Sequence, residues 1–151
     1  MTYRNAVLWA VLVFVVGFAT HPALAQTSDD QLLLLVDDDH DSMDRMLSRS
    51  GMNLSGYRIF RLDTDKSKTF TRRFYAGNRY YIYVRGSSEI SDIDVEVECG
   101  FDVVAEDDDY DDSALVSFSV SDSQDCGVET SFSSSDSGEH FVSQHIYYER
   151  D

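Results

Sequence analysis

Beyond Gly51 the chain settles into a repeated alternation of apolar and polar residues, and this feature limits its folds most sharply. Tyr57–Leu62, Lys68–Tyr75, Arg79–Arg85, Asp92–Cys99, Phe101–Ala105, Ala114–Val120, Gly127–Ser133 and His140–Tyr148 all alternate or carry aromatic and β-branched side chains. Successive side chains of a strand point to opposite faces, so such segments bury one face and wet the other. Between them stand Asp63-Thr64-Asp65, Ala76-Gly77-Asn78, Gly86-Ser87-Ser88, an acidic run and Ser133–Gly138. The Ser/Asp-rich stretches Ser119–Asp125 and Ser131–Ser137 read as loops between patterned strands. The only proline is Pro22, so Gly, Asn, Asp and Ser must form every later turn. Seven or eight short strands within about 95 residues predict a mainly β, two-sheet antiparallel sandwich.

The region before the strands has a different character. Arg4, an apolar run over residues 6–19, Thr20-His21-Pro22 and Ala23-Leu24-Ala25 follow the order of a cleaved signal peptide. The run is short of the roughly 20 residues that span a bilayer, so the expectation is export without a stable membrane anchor. Ser28-Asp29-Asp30-Gln31 matches a helix capping box. Leu32, Leu35, Val36, Met43, Met46 and Leu47 then recur at helical spacing, up to a stop at Gly51. The expected organisation is a signal over 1–25, an amphipathic helix within 26–51 and a β-sandwich over 52–151. The helix must lay its apolar stripe on a face of the sheet structure.

Charge excludes some partners. All 28 acidic residues lie beyond residue 25, and loss of Arg4 leaves eleven Lys/Arg, a formal charge of −17. Such a chain has no excess of cations to neutralise phosphates, which argues against nucleic acid and anionic lipid surfaces. The charges are also segregated. Ten Lys/Arg and only Asp63 and Asp65 fall between Arg45 and Arg85, whereas eighteen Asp/Glu and no Lys/Arg fall between Gly86 and Glu149. Neighbouring strands can match these blocks internally; a basic face for an acidic polysaccharide is the sharper alternative. Cys99 and Cys126 are the only cysteines. In an oxidising compartment they predict one disulfide, closing a loop of about 27 residues.

Three stretches carry a family resemblance. Phe74-Tyr75-Ala76-Gly77-Asn78-Arg79-Tyr80-Tyr81-Ile82 resembles the "L-x-A-G-x-x-Y-x-I" segment of bacterial pre-peptidase C-terminal-like (PPC-like) domains. Ser91-Asp92-Ile93-Asp94-Val95-Glu96-Val97 is similar to their "D-L-D-L-x-L" strand, and Gly100–Asp107 to the following "G-x-x-V-A-x-D" turn and strand. Gly127–Phe132 matches the final "G-x-Y-x-V" strand only in part. The resemblance spans roughly residues 54–148 and is nearest to small stand-alone exported versions with an N-terminal helix. It implies a jelly-roll-like sandwich that is itself non-catalytic, with calcium binding or assistance to substrate binding in some relatives.

The residues offer a few candidate sites. Glu106-Asp107-Asp108-Asp109-Tyr110-Asp111-Asp112 packs six carboxylates into seven positions. Asp107, Asp109 and Asp111 copy the start of an EF-hand loop, but Asp112 replaces the turn glycine and Phe118 the bidentate Glu, which excludes that motif. A sandwich-edge calcium site from Asp92, Asp94, Asp107, Asp109 and Asp111 is the remaining candidate, against a plain solvated turn. Calcium is the one cofactor considered, and none is required. Asp37, His40, Asp41 and Asp44 share one helix face and form a second metal candidate. His140 and His145, five apart, point to opposite faces of a strand and make a poor ligand pair. Tyr80, Tyr81, Tyr83, Tyr147 and Tyr148 offer a stacking surface for sugars, or simply packing.

No G-x-S-x-G elbow is present, and carboxylate pairs are too many to single one out for hydrolysis. The expectation is therefore an exported, non-catalytic binding or interaction module, periplasmic or secreted, with a protein or glycan partner. The alternatives are a structural envelope protein without ligand and a small carboxylate-dependent hydrolase.

Overall fold

The fold was obtained as a computed structural model, which describes residues 41–150 except 44, 48, 135 and 136. The signal segment and most of the expected helix lie outside these residues. Helical residues occur at 41–43, 45–47 and 49, where Leu47 is buried and its carbonyl accepts bonds from the Ser50 and Met52 amides.

Eight strands follow: β1 (Asn53–Asp63), β2 (Ser67–Phe74), β3 (Asn78–Gly86), β4 (Ile90–Cys99), β5 (Asp102–Asp107), β6 (Ser113–Ser119), β7 (Gln124–Ser134) and β8 (Glu139–Arg150). They form two antiparallel four-stranded sheets, one ordered β1-β8-β3-β6 and the other β2-β7-β4-β5. Only β4 and β5 are consecutive strands within one sheet; every other connection crosses the sandwich. Each expected strand is present. The serine-rich loop expected over Ser131–Ser137 is corrected, because Ser131, Ser133 and Ser134 pair with Asp94, Asp92 and Ile90 as the end of β7. Ladder hydrogen bonds there outweigh serine's preference for turns. Likewise Glu106 and Asp107, the first acids of the acidic run, belong to β5.

Between the sheets lies one core, built from the alternate residues that the period-two pattern turns inward. Phe74, Ile82, Ile93 and Val97 are wholly buried, and the Phe74 ring meets those of Tyr80 and Phe118 edge-on at 4.7 and 5.0 Å. Cys99 and Cys126 sit directly opposite each other on β4 and β7 and are joined by a disulfide. His140 turns inward against Phe132, while His145 lies on the other side of its sheet, stacked on Tyr57 and Tyr147. The five-residue offset therefore separates the two imidazoles, as expected.

A polar contact between two fully buried side chains bridges the sheets. Gln144 Nε2 of β8 donates to Thr130 Oγ1 of β7 at 3.2 Å, with both residues fully buried. Removing one partner strands a buried amide, whereas replacing both removes the desolvation cost. Thr130→Val alone should destabilise by about 1–3 kcal/mol, and Gln144→Leu added to it should restore most of that loss. Urea titrations of the four proteins in a double-mutant cycle measure this; strictly additive losses would mean the pair does not act as a unit.

Candidate functional site

Two of the concave regions among the described residues, one acidic and one aromatic, hold candidate residues. The first is acidic and sits on the outer face of the β7-β4-β5 part of its sheet. Glu96 stands directly opposite Glu129 on β7 and Glu106 on β5, so three glutamates form a row across three strands. With Asp94, Asp107 and Asp108 they line a cavity of about 280 Å³. Like charges facing each other across a ladder destabilise it. Partial relief comes from Thr69 Oγ1, which donates to Glu129 Oε2 at 2.9 Å, and Ser131 Oγ, which donates to Asp94 Oδ2 at 3.3 Å.

The Asp94 carboxyl is held above the usual aspartate range. Burial is the main cause, followed by the charge of Asp92, with Asp108 and Asp107 adding to it against the Ser131 hydrogen bond. A carboxyl raised in the folded state destabilises the fold once ionised. The wild type should thus lose stability as pH rises from about 3.9 through the folded value of Asp94. Asp94→Asn should be more stable at neutral pH by about 0.5 kcal/mol and indistinguishable below pH 3.9. Urea midpoints across that range check the sign; a gap that widens toward acid would refute it.

The five carboxylates expected to share calcium are only partly brought together. Asp94 and Asp107 line the cavity, and Asp92 acts on Asp94 through its charge. Asp109 and Asp111 do not line it, and both are exposed. Their main chain fixes the loop: the Asp109 amide donates to Asp107 Oδ1, and the Asp111 carbonyl accepts from Ile93 N of β4 at 2.9 Å. Asp107 itself ties the loop to β6, its Oδ2 accepting from Leu115 N at 2.8 Å. Among the described residues no set of three His, Cys, Asp or Glu side chains is arranged to hold a metal ion. Of the second metal candidate only Asp41 is described; Asp37, His40 and Asp44 lie outside the described residues. Sequence reasoning missed Glu96 and Glu129, and it singled out the run holding Glu106 and Asp108 without counting either among the ligands. A register shift in the β4–β5 hairpin, between Val97 and Glu98, is what sets Glu106 opposite Glu96.

The second region is built by the β2–β3 turn. Gly77 takes φ 77°, a left-handed conformation that glycine adopts without a steric cost. The Tyr80 hydroxyl clamps this turn, accepting from Tyr75 N at 2.9 Å and Asn78 Nδ2 at 3.2 Å. Beside it opens a pocket of about 460 Å³ lined by Ser55, Tyr75, Asn78, Tyr80, Tyr148 and Arg150. The five candidate tyrosines therefore divide. Tyr80 and Tyr148 wall this pocket, with ring centroids 6.3 Å apart. Tyr81 lies on the other face of its strand and donates to Glu149 Oε1 at 2.6 Å; this bond and burial raise its phenol above the ordinary range. Tyr83 and Tyr147 are buried outside the core cluster, beside His145. They offer no open stacking surface.

The chain matches no family model, and no curated protein matches it.

Proposed function

We propose that this protein is an exported, non-catalytic binding module of the PPC-like kind, periplasmic or secreted, with a glycan partner held in the pocket beside the β2–β3 turn. The observation that carries this reading is the pocket itself: about 460 Å³, walled by Tyr75, Tyr80 and Tyr148, with Asn78 and Arg150 as polar groups. Ligand pockets commonly have this size range and this mixture of aromatic walls and few polar groups. The strand orders β1-β8-β3-β6 and β2-β7-β4-β5 support a jelly-roll topology. The resemblance enters at the same place, since its Ala76-Gly77 and Tyr80 build the turn that shapes the pocket. A buried disulfide suits an oxidising compartment.

A glycan array probed with the chain beginning at Gln26 tests the reading. Binding to a saccharide class should fall at least tenfold in Tyr148→Ala, as expected when about 1.4 kcal/mol or more of contact is lost. A uniformly silent array would favour a structural protein without ligand.

A second reading is calcium stabilisation through the acidic row, favoured by the raised Asp94 carboxyl. Asp94, Asp107, Glu96 and Glu106 would have to draw together around the ion to supply the oxygens that a hard cation requires. Millimolar calcium should then raise the melting temperature, chelator should reverse the gain, and Asp94→Asn should blunt it. An unchanged melting curve would reject calcium.

A further inference from the structure

At the open side of the sandwich, where β1 of one sheet faces β2 of the other, the inward positions hold cations instead of apolar side chains. Arg58 shares the inner face of β1 with Phe60 and Leu62; Lys68 and Arg72 share that of β2 with Phe70 and Phe74. None of the three forms an ion pair with a carboxylate among the described residues, whereas Arg61, Arg73 and Arg85 pair with Glu139, Asp125 and Asp112. Other cations of the chain also lack an ion pair among the described residues, but these three share the inward positions of two facing edge strands.

Arg72 is also held in place. A register irregularity between Leu54 and Gly56 sets Ser55 apart in the β1–β8 ladder. Both its carbonyl and its hydroxyl accept from Arg72 Nη2, each at 2.7 Å. Bulges re-aim groups in this way beside functional sites. The next residue makes the room: a Cβ on Gly56 would stand 2.8 Å from Arg72 Nη1. Arg58 lies over the Phe70 ring at 4.1 Å. Burial, then the charge of Arg72, lowers its pKa. Lys68 Nζ lies 5.6 Å from the centre of the same ring. Ser55, which grips Arg72, also lines the tyrosine pocket, so Arg72 adjoins its wall.

We propose that Arg58, Lys68 and Arg72 form an anion subsite that takes the carboxylate of an acidic saccharide whose ring occupies the adjoining tyrosine pocket. The inference rests on the pocket being a glycan site and adds the class of glycan. Guanidinium groups suit carboxylates because their donors match the two oxygens. The carboxylate would supply the missing counter-charge where two cations already share a half-buried edge. The chain's overall negative charge does not forbid this. The acidic row takes the outer face of its sheet, with Glu129 reaching Thr69 on β2, whereas Arg58, Lys68 and Arg72 hold inward positions. Inward cations at an edge also discourage strand addition, but that role requires neither the Ser55 grip on Arg72 nor the space at Gly56.

The test is calorimetric binding of a hexuronic-acid oligosaccharide and of its carboxyl-reduced, neutral counterpart to the chain beginning at Gln26. The acidic oligomer should bind more tightly, and its affinity should fall as salt is raised. Arg72→Gln should weaken it about tenfold or more and the neutral oligomer far less. Gly56→Ala should act in the same direction by displacing the guanidinium, and it keeps the test open if Arg72→Gln fails to fold. Equal binding of the two oligomers, or unchanged acidic binding in both variants, would overturn the subsite while the pocket reading stands. Binding of neither overturns both. Acidic binding that depends on Arg72 but not on Tyr148 upholds the subsite and rejects the pocket.

Discussion

Phe74→Ala should destabilise the protein by about 4 kcal/mol, within the range for deleting a buried aromatic ring. Phe74 ends β2, is wholly buried, and contacts the rings of Tyr80 and Phe118, which lie on β3 and β6 of the opposite sheet. Its ring is therefore a joint between the two layers, and neither neighbour can follow it into the void without leaving its own ladder. A domain of this size has only about 5–15 kcal/mol in total, so this one change would remove a large share. Urea denaturation gives the difference directly, and an unchanged slope would show that the native fold is retained. Phe74→Leu, which refills much of the volume, should lose less than half as much; equal losses would point to the ring contacts instead of the cavity.

The second large effect concerns the Cys99–Cys126 bridge. Replacing both cysteines with alanine should cost about 3 kcal/mol by the entropy of a loop of this length, or roughly 15 °C of melting temperature. The loop holds β5, β6 and the acidic connection. The bridge thus limits, in the unfolded chain, the segment that must cross the sandwich twice. Both sulfurs are buried, so alanine also removes packing; melting of the wild type with and without reductant separates the two contributions. If reduction leaves the melting temperature within a few degrees, loop closure is not what the bridge contributes.

Much of the scaffold could be read directly because its signal is local. Leu62, Val95, Val97 and Phe118 each alternate with polar neighbours, and each faces the core. The pairing of the two cysteines followed from there being no others. The separation of His140 from His145 followed from strand parity alone. The serine-rich end of β7 was misread because a serine's turn preference is local, whereas its ladder with β4 joins residues about forty positions apart.

The candidate sites were less legible for the same reason. Asp109 and Asp111 look like ligands in the sequence, yet both are exposed and neither lines the acidic cavity. Glu96, Glu106 and Glu129 carry no motif and meet only through the register of three strands. Arg58, Lys68 and Arg72 read as ordinary members of a basic block. Their inward placement without acid partners depends on β1 and β2 falling at facing edges, and the hold on Arg72 depends on one irregular residue, Ser55. The sequence by itself determined the strands, their buried faces, the disulfide and the division of charge. These follow from side-chain period and residue chemistry, which act over a few positions. Only the tertiary structure decided which strands are neighbours, where a register slips, and therefore which charges meet. Those choices are made by ladders and packing between residues far apart in the chain, where a shift of one residue turns a side chain to the opposite face.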